Sequence, residues 1–294
     1  MMTNPVHQLI DKGVDLTQTQ SLELSILFAQ DGFSFVLFDP SRNKYVALES
    51  HEFTEVPSGT AEEKAQLAIN ALAALVTRHP YLNKPFSKTL FIVESRECTL
   101  IPDPVFDESA LKQYLLFVND VPESYSFRKD HIQSIAATNV WALPGIWESK
   151  AALIFHNPKV VHASTLFIES LLTKNKNIEL RDRIFIHVRP QYLEIGYFTE
   201  NRLQLYNTFV YRTKEDFIYF ILFVFEQLGI NPELIEAVMM GEIEKNSPLH
   251  EIALKYIRNV SFVPRFEDFD YSYVFEDIPQ HYYFTLLNSR ICAL

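Results

Sequence analysis

At 294 residues with 48% apolar side chains, the chain is long enough for one large domain or two ordinary ones and apolar enough for packed cores. Its net charge of −11, with no cluster of Lys and Arg, argues against nucleic acid and anionic membrane surfaces as partners. No apolar run approaches the roughly 20 residues of a membrane-spanning helix, and residues 1–11 do not resemble a signal peptide. We therefore expect a cytoplasmic protein whose two cysteines, Cys98 and Cys292, are reduced thiols.

The first half of the chain predicts a three-stranded antiparallel meander that follows a polar, loosely attached arm over residues 1–20. Its strands are predicted over 22–28, 33–38 and 45–53, because turn residues separate three apolar runs. After a turn over 57–60, Thr60 and Glu63 form a capping box that begins a helix extending to about residue 76. The remaining elements predicted for this half are a buried strand over 89–93, a helix over 107–118, a strand over 135–143 and a short helix over 145–154.

The second half repeats this order. Three strands are predicted over 183–188, 192–198 and 203–212, with Asn201 at their second turn. A helix then runs from residue 213 to 228 and ends at Gly229. A duplication of this kind indicates two structural units of one design. The other elements predicted for this half are a strand over 160–164, a helix over 165–173, a buried strand over 234–240 and a helix over 247–257.

Each half thus has the order β-β-β-α-β-α, which is that of the ribonuclease H-like fold, and two such units in tandem resemble the actin-like ATPase superfamily. The element order and the stretch VHASTLFIESLL at 161–172 resemble more closely an uncharacterised bacterial family with a degenerate actin-like fold. The cytoplasmic domains of pilus-assembly and type II secretion scaffold proteins are similar in architecture. The resemblance implies an α/β protein of two tandem ribonuclease H-like units, over 21–158 and 159–294, each with a mixed five-stranded sheet flanked by helices.

The resemblance also implies where a nucleotide would bind. Catalytic members of the superfamily use an Asp- and Gly-containing hairpin in each unit and a pair of glycines after the buried strand of the second unit. In the first hairpin Asp31 and Gly32 match this pattern, although Asp-Gly is also the commonest way to close a tight turn. Glu94 follows the buried strand of the first unit, where catalytic members carry a polar group that orients water or substrate, but a single Glu at a strand end is commonly just solvated.

The second unit departs from the pattern. Its hairpin contains Arg189 and Pro190 instead of Asp and Gly; Arg189 could pair with an anion or have a structural role, and Pro190 removes a backbone donor. Of the glycine pair only Gly241 remains, because Glu242 replaces the second glycine with a carboxylate that would repel phosphate. We therefore predict a vestigial nucleotide site with no catalytic residue. Its residues would be Asp31, Gly32, Glu94, Arg189 and Gly241.

Aromatic and acidic residues alternate over 266–277. On a strand this alternation would place four aromatic side chains on one face, where they would either pack on the body of the protein or form an interface for a basic protein partner. These four residues are Phe269, Tyr271, Tyr273 and Phe275. The nine His residues are scattered, and neither His156 nor His162 has a neighbouring Cys or acidic ligand in sequence, so no metal site is expected.

Two hypotheses about function follow. The first is a non-catalytic actin-like scaffold that binds a protein partner, which could be a second copy of the chain in a homodimer, and that needs no cofactor. The alternative is an atypical ATPase or small-molecule kinase that holds a Mg²⁺-nucleotide in a cleft between the units; it predicts Asp31 and Glu94 facing one open cleft. A protein that binds a nucleotide without hydrolysing it would be intermediate between the two.

Overall fold

A computed structural model describes residues 3–53, 59–175, 182–200 and 202–292. The first part of the turn predicted over 57–60 and the turn predicted at Asn201 lie outside these residues, as does the side chain of Cys292.

The described residues form two compact units. The first lies within Met1–Glu169, Glu267–Asp277 and Thr285–Leu294, and the second within Ser170–Phe266 and Ile278–Phe284. This division differs from the predicted boundary at residue 158, because residues 159–169 and two segments near the C-terminal end belong to the first unit.

The elements of the first unit begin as the sequence predicts and then include additional strands. In chain order they are β1 (Thr3–Ile10), β2 (Glu23–Phe28), β3 (Gly32–Asp39), β4 (Lys44–Phe53), α1 (Ala61–Arg78), β5 (Lys88–Val93), β6 (Cys98–Pro102), α2 (Leu111–Val118), β7 (Tyr125–Ile132), β8 (Ala137–Pro144), α3 (Gly145–Ile154) and β9 (Lys159–His162). Helix α4 (Ala163–Asn175) follows and spans the division between the units.

The second unit is a shorter version of the same design. Its elements are β10 (Arg183–Val188), β11 (Tyr192–Thr199), β12 (Arg202–Val210), α5 (Lys214–Leu228), β13 (Glu236–Gly241), α6 (Pro248–Tyr256) and β14 (Asn259–Phe262). The chain then contributes β15 (Asp270–Tyr271), a 3₁₀ helix (Tyr273–Asp277) and α7 (Phe284–Cys292).

The strand order of the two main sheets confirms the duplication. The second unit's sheet has the order β12-β11-β10-β13-β14, and the core of the first unit's sheet has the equivalent order β4-β3-β2-β5-β9. In each sheet the three strands that come first in the chain form an antiparallel meander. The other two strands lie parallel to the strand that begins the meander, which is β2 in the first unit and β10 in the second. Both units therefore have the ribonuclease H-like arrangement, as predicted.

The first sheet has seven strands, not the predicted five, because both ends of the chain add to β4. Strand β1 pairs antiparallel with β4 from Thr3 opposite Phe53 to Ile10 opposite Ala47. The predicted loosely attached arm is therefore wrong over this range. A register shift just after Pro5 marks a β-bulge, which is where an edge strand tolerates proline.

A small subdomain is inserted between β5 and β9. Strands β6, β8 and β7 form an antiparallel three-stranded sheet, and α2 packs on it around a core that includes Leu115, Val140 and Ala142. The sequence predicted α2 and β8 but neither flanking strand. Strand β7 has mostly polar side chains that are at least partly exposed, so it lacks the apolar alternation of a half-buried strand.

Local signals set the ends of the main helices. The capping box at the start of α1 is present as predicted, with Thr60 and Glu63 each accepting from the other's backbone N–H. Helix α5 begins with a second capping box, and it ends at Gly229, whose φ of 65° is left-handed. The helices pack on separate apolar cores. In the first unit, the buried indole N–H of Trp147 donates to the Ala65 carbonyl of α1 at 2.9 Å.

Candidate functional site

The first hairpin, between β2 and β3, is a tight turn in which the Ala29 N–H donates to the Gly32 carbonyl at 2.9 Å. Gly32 is required here for space, since a Cβ on it would lie 2.3 Å from the His51 carbonyl oxygen of β4. The Asp31 carboxylate is half-buried and has no hydrogen-bond or ion-pair partner among the residues described. The two predicted residues therefore differ in role. Gly32 allows β3 and β4 to pack closely, whereas the Asp31 carboxylate makes no such structural contact among the residues described.

Glu94 follows β5 at the carboxyl edge of the same sheet. Its N–H donates to the Phe28 carbonyl of β2 at 2.9 Å, and the residue is only 5% exposed. Glu94 is therefore a buried residue, and the interpretation of it as a solvated residue at a strand end is wrong. Asp31 and Glu94 lie at the same sheet edge, because β2 and β5 are parallel neighbours with Phe28 opposite Val93.

A buried polar network lies beside Glu94 at the ends of β5 and β9. The backbone N–H of Ser164 donates to His162 Nδ1 at 3.2 Å, and Ser95 Oγ lies 3.3 Å from His162 Nε2. Because Nδ1 accepts from a backbone donor, the proton of the neutral ring is on Nε2, and Nε2–H donates to Ser95. His162 in this tautomer cannot take the Ser95 proton, so this pair is not a nucleophile with its general base.

Asp130 of β7 ties the inserted subdomain to this network. Its carboxylate accepts from the His162 N–H at 2.8 Å and from the Thr165 hydroxyl at 2.9 Å. Burial raises the pKa of Asp130, and these hydrogen bonds oppose the increase only in part. The network fixes the β9–α4 junction against the subdomain, which is a structural role that sequence spacing could not reveal.

The second hairpin, between β10 and β11, is closed by an internal ion pair. The Arg189 N–H donates to the Tyr192 carbonyl at 2.9 Å, and its guanidinium Nη1 lies 2.8 Å from a carboxylate oxygen of Glu242. The Arg189 side chain is 12% exposed, whereas that of Glu242 is 35% exposed. The Tyr211 hydroxyl donates to the Arg189 carbonyl, and burial, reinforced by the nearby Glu242 charge, raises the pKa of Tyr211 to about 12. Arg189 and Glu242, which were interpreted separately from the sequence, thus neutralise each other's charge at the hairpin.

Gly241 is the last residue of β13 and has a φ of 87°. A Cβ there would lie 2.3 Å from the Val188 carbonyl oxygen and 2.6 Å from the His187 ring. His187 is itself fixed, because its Nδ1 lies 2.6 Å from the Glu194 carboxylate in a buried pair. Gly241 is therefore required by its backbone conformation and by the close approach of β10.

His281, which the sequence did not single out, covers the end of β13. Its carbonyl accepts from the Gly241 N–H at 2.9 Å, and its Nε2–H donates to the Ile243 carbonyl at 2.7 Å. Its ring stacks on Phe262 with centroids 4.2 Å apart. Burial lowers the pKa of His281, which keeps the ring neutral in this position. His281 thereby covers the backbone at Gly241, the one glycine that remains of the pair implied by the resemblance.

The aromatic segment near the C-terminal end does not form the predicted one-sided strand. Only Asp270–Tyr271 is a strand, parallel to β4, and a 3₁₀ helix begins at Tyr273. Phe269 and Phe275 are buried, and Tyr271 stacks on Tyr45 with centroids 5.4 Å apart. Tyr273 is exposed, at 56%. The segment therefore serves mainly as core of the first unit, and only Tyr273 of the four presents its side chain outward.

The described residues contain no group of three or more His, Cys, Asp or Glu side chains arranged to hold a metal ion. Among the helices of the same ranges, none combines the length and the apolar character that crossing a membrane requires. Cys98 is a reduced thiol whose sulfur accepts from the Ser164 hydroxyl at 3.7 Å.

Comparison with known proteins places the chain in a family. Residues 11–260 match the family described as "Protein of unknown function (DUF3822)". No curated protein matches the sequence at a significant level.

Solved structures share the fold. A Bacteroides thetaiotaomicron protein with an actin-like ATPase fold and unknown function aligns with a TM-score of 0.74 at 20% identity, over 85% of this chain and 93% of that one. The PilM–PilN type IV pilus biogenesis complex aligns with a TM-score of 0.57 at 9% identity, over 90% of this chain and 96% of that one. At these identities the likeness establishes the actin-like fold alone.

Proposed function

We propose that the chain is a non-catalytic scaffold that binds another protein. The chain belongs to the DUF3822 family and has an actin-like ATPase fold. The hairpin of its second unit is closed by an ion pair between two of the chain's own residues. The observation that carries this proposal is the Arg189–Glu242 ion pair together with His281. We further propose that it acts in the cytoplasm.

A triphosphate at the second hairpin would need backbone donors and positive charge. The Arg189 guanidinium is neutralised by Glu242, and the Gly241 N–H is already donated to the His281 carbonyl. Pro190 has no N–H to offer. A phosphate would therefore have to displace a carboxylate and break a buried backbone hydrogen bond, both of which cost free energy.

Calorimetric or thermal-shift titration with Mg²⁺-ATP tests the loss of the nucleotide site, with ADP and AMP as controls. A ligand at 100 times its Kd would stabilise the protein by about 2.7 kcal/mol, which corresponds to a Tm increase of roughly 5–10 °C for units of this size. We expect no saturable shift at millimolar nucleotide. A saturable shift that is lost in Asp31→Ala but kept in the matched surface variant Asp120→Ala would overturn the proposal.

The protein-binding part of the proposal is supported by α2. Leu116, Phe117 and Val118 are 44%, 89% and 56% exposed, which is unusual for three consecutive large apolar side chains. The surrounding segment, residues 103–123, carries five acidic side chains and one basic side chain. A partner with an apolar patch bordered by Lys or Arg would complement this surface. One of the structures that share this fold is itself that of a protein complex, PilM–PilN.

Selection of a displayed random-peptide library on the folded protein tests this surface. We expect enriched peptides that combine apolar residues with Lys or Arg, and that bind Phe117→Asp at least tenfold more weakly than the parent protein. Leu234→Asp, which alters a single apolar side chain that is 77% exposed in the second unit, is the control and should leave binding unchanged. Peptides that bind all three proteins equally would contradict the assignment, and concentration-dependent dimerisation lost in Phe117→Asp would identify the partner as a second copy.

A further inference from the structure

The first unit contains a cavity that is independent of the proposed function. It lies at the amino-terminal ends of β2, β5 and β9, whereas Asp31, Glu94 and His162 lie at their carboxyl ends. Its volume is about 270 Å³, near the lower end of the roughly 300–1,000 Å³ typical of small-ligand sites. Any ligand must therefore be small.

The interior of this cavity is apolar. Phe38 of β3, Tyr45 of β4 and Leu90 of β5 line it, and each is at most 6% exposed. Strand pairing sets Tyr45, Phe38 and Glu23 in a row across the sheet, because Phe38 lies opposite Tyr45 on β4 and opposite Glu23 on β2. A ligand that enters would transfer apolar surface from water to this wall, which is the general driving force for binding in such sites.

Arg290 of α7 forms one side of the cavity and is held in two ways. Its Nε lies 2.8 Å from the Glu23 carboxylate, and its guanidinium carbon lies 4.3 Å above the Phe38 ring centroid. The ion pair neutralises the one carboxylate that lines the cavity, so the charge at the site is set by the remaining residues.

Those residues are two lysines, each the first residue of its strand. Lys88 begins β5 and Lys159 begins β9, and both are exposed at the rim. Neither forms an ion pair within the part of the chain that is described, although Lys159 acts at longer range on the buried Asp130. The protein as a whole has a net charge of −11. The two lysine ammonium groups nevertheless make the rim of this apolar cavity locally positive.

We propose that this cavity binds a small amphiphilic anion, an organic acid with an apolar aliphatic or aromatic body. The body packs against Phe38, Tyr45 and Leu90, and the acidic group lies at the rim between Lys88 and Lys159. A cation of the same shape would be repelled by both lysines, so charge sign decides selectivity.

The fluorescent probe 8-anilinonaphthalene-1-sulfonate, which combines an aromatic body with a sulfonate, tests the site directly. We expect saturable fluorescence enhancement, displacement by decanoate and no displacement by decylamine at equal concentration. Equal displacement by both competitors would overturn the proposal, because it would show that apolar contact alone governs binding.

A matched pair of double variants locates the site. Lys88→Glu with Lys159→Glu should weaken binding of the probe and of decanoate about tenfold or more, through lost attraction and added repulsion. Lys112→Glu with Lys150→Glu makes the same change of net charge on exposed residues away from the cavity and should leave affinity within about twofold. If the two double variants behave alike, or if neither alters binding, the proposed site is wrong. Unchanged Tm values would establish that both proteins are folded.

Discussion

Replacing Gly241 by Ala tests why a glycine stands at the end of β13. At a φ of 87° an L-residue is strained by roughly 1–2 kcal/mol. The added Cβ would also lie 2.3 Å from the Val188 carbonyl oxygen, so β10 and β13 would have to move apart. Overpacking of this kind costs typically about 1–3 kcal/mol, and we expect a total loss of about 2–5 kcal/mol.

Gly229→Ala is the matched control in the same unit. Gly229 has a φ of 65°, but a Cβ there would meet no atom within 4 Å, so only the conformational strain applies. Both substitutions reduce the entropy of the unfolded chain equally, and that contribution cancels in the comparison. Gly241→Ala should therefore be the more destabilising by about 1–3 kcal/mol.

Hydrogen exchange of peptides from β10 and β13 is the suitable assay, because both tryptophans of the chain, Trp141 and Trp147, lie in the first unit and do not report on the second. Far-UV circular dichroism in urea gives the overall stability. If Gly241→Ala costs no more than Gly229→Ala, the close approach of the two strands does not explain this glycine, and a role in ligand binding would have to be reconsidered.

Three further substitutions have defined outcomes. Tyr45→Phe removes a buried hydroxyl that donates to a carbonyl of α7 at 2.6 Å, and tryptophan-monitored urea unfolding of the first unit should show a loss of about 1 kcal/mol. Burial alone would raise the pKa of Glu49, but the hydrogen bond from His51 and neighbouring positive charge lower it below 4.5. Its stabilising effect is therefore present above pH 4.5 and lost as the pH falls further, so Glu49→Gln should destabilise the protein at pH 7 and differ less from the parent at pH 3. Thr213→Ala removes the capping hydroxyl that accepts from the Asp216 N–H, and hydrogen exchange in the first turns of α5 should report a loss of about 1 kcal/mol.

The elements that could be predicted from the sequence are those with strong local signals. Both meanders have apolar strands bounded by turn residues, and the capping boxes at Thr60 and Thr213 identify the starts of α1 and α5. Strand β1 was missed because its polar residues and Pro5 hide an edge strand whose pairing depends on β4. The strand predicted from the C-terminal aromatic alternation was wrong except at Asp270–Tyr271. The packing of Phe269 and Phe275 on residues more than 200 positions earlier was one of the two alternatives, and no local pattern could decide between them.

The candidate site shows the same limit. The loss of Asp and Gly from the second hairpin was evident in the sequence, but the Arg189–Glu242 ion pair joins two different strand ends and could not be inferred from either alone. His281 lies 40 positions after Gly241, so no local pattern links them. The lysines of the first unit's cavity come from β5 and β9, and only the parallel pairing of those strands brings them together.

The discontinuity of the first unit has a consequence for its synthesis. The bond from the Tyr45 hydroxyl to the Leu287 carbonyl joins residues 242 positions apart, and α7 is translated after the second unit. At about 5–20 residues per second, a ribosome needs roughly 10–50 s to cover that distance. During this interval the nascent first unit has its meander but lacks the helix that covers Tyr45. The aromatic face around Tyr45 is then accessible to chaperones. If the ribosome stalls before residue 284, the polypeptide lacks α7 and this face stays exposed.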